Sequence, residues 1–250
     1  MRVDLAWLPP AEPPEGVTCV VVDVLRATSS VAVLLARGIP AVYPTASVDE
    51  GKALRTALEG SGLRAALCGE QGGLPPPGFD FGNSPSEFAR VDLDGWDAVV
   101  MATTNGTPAL LACTSAPLVL AGAPLNAGAT SAACIEAGHD VLIVCAGRSG
   151  VRATDDSLAA ALIASRLVEA GATPDGNARD ALAMLEASPG DLGAALRMTE
   201  HGRALVALGF EHDLDFCGRD DAFDSAAALR LEGGPRALPV LRPLHRADER

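Results

Sequence analysis

The first place where this chain could do chemistry is Asp23, a carboxylate set in a run of β-branched residues (Val20, Val21, Val22, Val24) that reads as a strand buried on both faces. A carboxylate in such a run needs a physical reason. Arg26 follows within reach, and Thr28, Ser29 and Ser30 then offer N-cap oxygens to a helix opening at the apolar run 31–35. Strand, acid, base, cap and helix in that order place Asp23 and Arg26 at a rim. In open α/β sheets ligands collect there, beyond strand carboxyl ends and against helix N-termini. The plainer alternative is an Asp23–Arg26 salt bridge that ties the strand end to the turn.

Three more strand ends repeat the pattern. The apolar run 63–68 ends at Gly69-Glu70, again a carboxylate. The run 97–101 leads into Thr103-Thr104-Asn105-Gly106-Thr107-Pro108 before a helix at 109–112. Hydroxyls, an amide and a glycine turn around free backbone N–H groups suit a phosphate or sulfonate, and ordinary capping needs one such residue where four are present. The run 140–145 leads into Ala146-Gly147-Arg148-Ser149-Gly150, followed by Asp155 and Asp156 in the first turn of a helix reaching 169. Those two acids either complement the helix dipole or face the site as metal ligands. Between these ends lies 71–88, QGGLPPPGFDFGNSPSEF, too rich in Gly and Pro for a helix. Phe79, Phe81 and Phe88 argue for an ordered loop that positions Asn83 for a ligand, unless Asn83 and Ser84 only cap the next helix.

The elements that must hold these residues alternate. Strand candidates at 2–7, 20–24, 39–43 and 63–68, with helices after 31 and from Ser47 or Asp49 to about 59, set a βαβα rhythm. A strand at 118–122 and an alanine-rich helix at 126–138 extend it. Beyond Gly171 the pattern is helical (177–187, 192–199, 204–208), with a short closing strand near 238–240. His201 by itself reads as a surface or core histidine. The fold class is α/β with a mixed, largely parallel sheet, and residues 1–250 form a single domain whose 48% apolar content is ample for a core.

Composition narrows the function. A formal net charge of −13, with Lys52 the single lysine among 19 basic residues, leaves no basic patch for nucleic acid. An acidic chain that handles an anionic substrate must concentrate its few cations locally or use a divalent metal. The opening MRVDLAWLPP lacks the features of a secretory signal, and the apolar runs fall far short of the ~20 residues that span a membrane, so the expected setting is cytoplasmic, without a membrane partner. The six cysteines form no C-x-x-C pair and read as buried thiols rather than zinc ligands or disulfides. Cys145 could be a nucleophile, but no histidine lies near it in sequence. Alanine-rich helices with few charges are compatible with a homodimer. Carboxylates without a Cys/His set favour Mg²⁺, while the hydroxyl-glycine turn and the arginines favour a tetrahedral anion. Metal-assisted hydrolysis of a small anionic phosphate ester is the chemistry that follows.

The runs VVVDVLRATSS, GEQGG with GFDFGNSPSEF, ATTNGTPAL, CAGRSG with TDDSLAA, and HGRALVALGFEHDLDFC followed by LPV resemble the 2-phosphosulfolactate phosphatase family over about residues 17–240. The resemblance implies a three-layer α/β/α fold and Mg²⁺-dependent hydrolysis of (2R)-2-phospho-3-sulfolactate to 3-sulfolactate and phosphate, a step towards coenzyme M. The residues themselves then suggest Mg²⁺ held by some subset of Asp23, Glu70, Asp155 and Asp156, with Arg26 and Arg148 clamping phosphoryl or sulfonate oxygens. Thr28, Ser29, Thr104, Asn105, Gly106, Thr107, Ser149 and Gly150 would contact substrate, and Asn83 would orient ligand or water. Gln71 stands where the family pattern has arginine, Arg148-Ser149 where it has Thr-Asn, and Asp155 where it has glutamate; Arg148 would compensate for the cation missing at Gln71. Leu25 stands where the haloacid dehalogenase phosphatases need a second aspartate, which ranks an aspartyl-phosphate route lower. Two alternatives stay open: a phosphatase of the same fold acting on another phosphorylated hydroxy acid, and a non-catalytic binder of a sulfonated or phosphorylated acid.

Overall fold

The computed structural model describes residues 1–188, 190–233 and 237–244. Strands β1 (Arg2–Ala6), β2 (Val17–Val22), β3 (Val42–Thr45), β4 (Ala65–Gly69), β5 (Ala98–Ala102), β6 (Leu118–Gly122), β7 (Asp140–Cys145), β8 (Thr173–Pro174), β9 (Ala226–Glu232) and β10 (Leu238–Leu244) form one sheet. Its order is β4-β5-β3-β10-β9-β6-β2-β7-β1-β8. Strands β4, β5 and β3 run parallel to one another, as do β6, β2, β7, β1 and β8, and the antiparallel hairpin β9–β10 joins the two sets. The helices are α1 (Ala27–Ala36), α2 (Val48–Gly60), α3 (Pro85–Phe88), α4 (Gly106–Ala112), α5 (Ala127–Ala137), α6 (Thr154–Glu169), α7 (Gly176–Glu186), α8 (Leu192–Met198), α9 (Glu200–Ala207) and α10 (Glu211–Cys217). They cover both faces, giving three α/β/α layers.

The apolar runs become central strands because their residues divide by parity between two cores. Cys19 and Val21 of β2, with Leu142 and Val144 of β7, pack against α1 and α4. Val20, Val22, Val141, Ile143 and Cys145 pack on the opposite face against α5, α6 and α7. Helix α1 is buried along its length from Ala27 to Leu35, so it needs no polar face. Between β5 and β2 stand four strands, which on a flat sheet would separate them by about 24 Å. Yet Gly106, four residues beyond β5, packs on Asp23, the first residue beyond β2. The sheet is therefore strongly curved, with α1 in its hollow.

Several boundaries differ from the sequence reading. Strand β2 ends at Val22, and Val24 lies in the turn. Thr28, Ser29 and Ser30 lie inside α1 and do not cap it; Arg26 occupies the N-cap position. The oxygens of Thr28 and Ser29 instead donate back to the carbonyls of Asp23 (2.9 Å) and Val24 (2.8 Å). Helix α4 begins at Gly106 and α9 at Glu200, which brings Gly106, Thr107 and His201 into first helical turns. The short closing strand is in fact a hairpin of two seven-residue strands in the middle of the sheet. No helix among the described residues is long and apolar enough to cross a membrane. The six cysteines are free and buried, and burial followed by nearby Asp156 pushes the Cys145 thiol well above its ordinary range, which argues against a nucleophile.

Asp4, on β1, titrates at about 6, raised first by desolvation and then by its hydrogen bond to the Asp175 carboxyl. A carboxyl whose folded pKa exceeds its unfolded one contributes stability at low pH and loses it as pH rises through the folded value. Asp4→Asn therefore raises the denaturation midpoint over wild type at pH 8, and a urea titration at pH 4 shows that advantage gone.

Candidate active site

A cavity of about 250 Å³ opens beyond the carboxyl ends of β2, β4, β5 and β7. Asp23, Leu25 and Arg26 line it from the β2 turn, Glu70, Gly72 and Gly73 from β4, and Asn83 from the long loop. Thr104 and Asn105 contribute from β5, Arg148 and Ser149 from β7, and His201 with Leu205 from α9. All four strand ends that carried polar residues in the sequence thus meet at one place.

Asp23 is buried, and its Oδ1 accepts the Ala27 N–H at 3.2 Å. A Cβ on Gly106 would strike Asp23 Oδ2 and Ala27, so glycine is what lets α4 close on the carboxylate. Burial lifts Asp23 to about 6, with Glu70 and Asp155 adding to the rise while His201 and the Ala27 N–H oppose it. Glu70 accepts the Gly73 N–H at 2.9 Å on one oxygen and the Thr104 N–H at 2.7 Å on the other. It fastens its own turn to that of β5.

Arg26 does not pair with Asp23. Its Nη1 donates to Asp213 Oδ2 at 2.9 Å, its Nη2 donates to the Gly73 carbonyl at 2.7 Å, and its plane lies 4.1 Å from the Phe210 ring centre. Asp213 Oδ1 in turn accepts from Ser84 Oγ (2.7 Å) and the Ser86 N–H (3.1 Å). Arg148 is half-exposed, 3.3 Å from an exposed Glu200 oxygen. Such a pair contributes about 0–1 kcal/mol, so Arg148 is free to turn to an incoming anion. Gln71 is exposed and does not line the cavity, whereas Arg148 does. Asn83 is buried with its Oδ1 unpaired.

Other residues singled out in the sequence hold the turns around the site together. Thr107 and Thr103 bond reciprocally, each hydroxyl accepting the other's N–H at 3.0 Å, which explains most of the hydroxyl excess before α4. Asn105 Oδ1 accepts the Ser149 N–H at 3.0 Å and links the β5 and β7 turns. Gly150 sits at the exposed tip of the turn closed by the Arg148–Val151 bridge. Asp156 is buried and accepts the Val24 N–H (3.0 Å) and the Gly147 N–H (2.9 Å), pinning the β2 and β7 turns together. Burial, then Asp155 and Asp23, push Asp156 well above the carboxylate range. Asp155 lines a second cavity of about 370 Å³ that shares Arg148, Ser149 and His201 with the first.

Asp213 and His201 were not assigned to the site from sequence. Asp213 carries a readable signal: it stands on the buried side of α10 beside Leu214, Phe216 and Cys217, where an unpaired acid would be costly. Nothing local marks His201.

A family description, 2-phosphosulpholactate phosphatase, matches residues 7–231. The chain belongs to the 2-phosphosulpholactate phosphatase family. It is a phosphatase of that family, a phosphoric monoester hydrolase. Among its relatives named "Probable 2-phosphosulfolactate phosphatase", that of Thermotoga petrophila is 34% identical over 220 residues, covering 88% of this chain and 92% of the relative. The Deinococcus radiodurans protein of that name is 39% identical, covering 88% of each chain. The one from Thermus thermophilus is 39% identical, covering 85% of this chain and 87% of its own.

Removing Asp213 leaves a buried guanidinium without its counter-charge. Asp213→Ala is expected to cost about 3–5 kcal/mol in chemical denaturation, and Asp213→Asn less, because an amide oxygen still accepts from Arg26.

Proposed function

We propose that the protein is a Mg²⁺-dependent phosphatase that hydrolyses (2R)-2-phospho-3-sulfolactate to 3-sulfolactate and phosphate in the cytoplasm, on the route to coenzyme M. The observation that carries this reading is the joint presence of Asp23 and Glu70 with Arg26 and Arg148 on one cavity of about 250 Å³, a size suited to a small ester. The relatives' names supply the substrate.

Among the described residues no three His, Cys, Asp or Glu side chains gather into a metal cage. Mg²⁺ does not require one, because it is commonly held by one or two carboxylates, waters and the substrate's phosphate. Asp23 and Glu70 face the same cavity and fit that role. Asp155, engaged with His201, and Asp156, buried behind the β2 and β7 turns, do not line that cavity. Bound there, the ion would supply neutralisation of charge on the phosphate as the ester oxygen departs. The chain's own groups do the rest. Arg148, loosely held, turns to a phosphoryl or sulfonate oxygen, and the N–H donors of Arg26 not taken by Asp213 and Gly73 hold another. Asn83 and Thr104, which line the same cavity, fix the orientation of the acid.

A second reading keeps the chemistry and changes the ester. It is favoured by Arg148 itself, a half-exposed cation lining the cavity and able to bind a carboxylate or phosphate as readily as a sulfonate.

Phosphate release from racemic 2-phospho-3-sulfolactate and from a panel of phosphorylated hydroxy acids tests both. Turnover of the sulfolactate ester is expected with Mg²⁺, lost in EDTA and lowered at least ~100-fold by Asp23→Asn. Turnover confined to another ester removes the substrate and leaves the phosphatase. Undiminished turnover in EDTA removes the metal.

A further inference from the structure

Asp155 and His201 meet across the starts of two helices. Asp155 lies in the first turn of α6 and His201 in the first turn of α9, with Asp155 Oδ2 3.0 Å from His201 Nδ1. The Asp155 side chain is buried, and that of His201 is one-fifth exposed. Helix α9 is held in place for this contact: Thr199 Oγ1 accepts the Gly202 N–H at 2.9 Å, and any Cβ at Gly202 would strike the Leu196 carbonyl. The imidazole lines both cavities, while its Nε2 has no hydrogen-bond partner among the described residues. When a carboxylate accepts from Nδ1–H, a neutral imidazole presents the Nε2 lone pair on its other edge. A histidine oriented by an acid, lining a ligand cavity and with its second nitrogen unengaged, is arranged to accept a proton there.

We propose that His201, oriented by Asp155, is the base that takes a proton from the water attacking the phosphorus. The proposal rests on the phosphatase reading and adds a catalytic residue to it. In the step, the water oxygen bonds to phosphorus as the bond from phosphorus to the ester oxygen breaks. One water proton passes to His201 Nε2, and the departing alkoxide takes a proton from solvent. His201 then returns its proton to solvent, and the products are phosphate and the hydroxy acid. Asp155 touches no reacting atom; it is a positioning residue that sets the tautomer and the ring plane.

The test is steady-state kinetics with Mg²⁺ on wild type, His201→Ala, His201→Gln and Asp155→Asn, using whichever ester of the panel wild type hydrolyses, with and without added imidazole. Circular dichroism and a thermal melt establish which variants fold. The expected result is a fall in kcat of roughly 10²–10⁴-fold for His201→Ala and His201→Gln, with KM changed only a few-fold. Imidazole partly restores His201→Ala, whose cavity can admit it, and leaves His201→Gln unrestored. Asp155→Asn, with the histidine in place, lowers kcat and is not restored by imidazole. Wild-type kcat in the folded His201 variants, a loss confined to KM, or a kcat loss in His201→Ala that imidazole does not restore overturns the proposal while leaving the phosphatase in place. A wild type that hydrolyses no ester overturns both.

Discussion

Arg26 and Asp213 are both almost fully withdrawn from water, 187 residues apart in sequence and 2.9 Å apart in space. Removing two charges from water costs several kcal/mol per ion, and attraction between them repays this only when the remaining hydrogen-bonding capacity is also met. Here it is met from four directions: the Gly73 carbonyl and the Phe210 ring for the guanidinium, Ser84 Oγ and the Ser86 N–H for the carboxylate. The partners come from three segments of the chain. The pair therefore joins the start of α1, the turn after β4, the start of α3 and the approach to α10, and closes one side of the cavity. The long loop 71–88, whose composition favours many conformations, is held to one by this pair and by contacts made through Asp80 and Phe81. Asp80 accepts from the Leu67 N–H and from Arg55, and Phe81 sits edge-on to Phe88.

What was legible in the sequence was local. Alternating burial in Val20, Val21 and Val22 needs only two apolar faces, and a carboxylate directly after such a strand is conspicuous wherever the chain goes next. For that reason Asp23 and Glu70 stand out in the sequence, Arg148 does so by its glycine turn, and all three line one cavity. What was illegible depended on distant partners. Arg26 has Asp23 three residues away, and nothing in the intervening sequence says that the turn aims its guanidinium at Asp213 instead. The hydroxyls of Thr103 and Thr107 looked like surplus for an anion because their mutual bonding is invisible until the turn is folded. The β9–β10 hairpin was compressed to a short closing strand for a related reason. AAALRLE has weak strand propensity, and Pro239 and Pro243 each remove a ladder donor, so only the sheet on either side makes these residues strands.

Curvature is what converts this topology into a site. Had the sheet been flat, the β5 turn would lie far from the β2 turn, and Glu70 and Asp23 could not share a cavity. Close approach then becomes the next requirement, and it falls on glycine: at Gly106 a side chain would displace the Asp23 carboxylate, and at Gly147 one would strike Leu8 and the Val151 carbonyl beside the bond to Asp156. Small-residue strand ends, which in the sequence suggested tight turns around an anion, are thus also places where two segments must touch.

The charges on the cavity wall limit what can enter it. Arg26 contributes little net positive charge, because Asp213 balances it at contact distance. Asp23 and Glu70 oppose any phosphate, and Arg148 is the remaining arginine among the lining residues. A substrate carrying phosphate, carboxylate and sulfonate would add several negative charges to a wall that one arginine cannot neutralise, in a chain whose formal net charge is already −13. Two physical remedies exist: a proton on Asp23, which burial already favours up to about 6, or a divalent cation between the carboxylates and the phosphate. The proton removes one charge and also removes a carboxylate as a metal ligand or base. The cation removes two and leaves both carboxylates ionised, which makes it the stronger remedy near neutral pH.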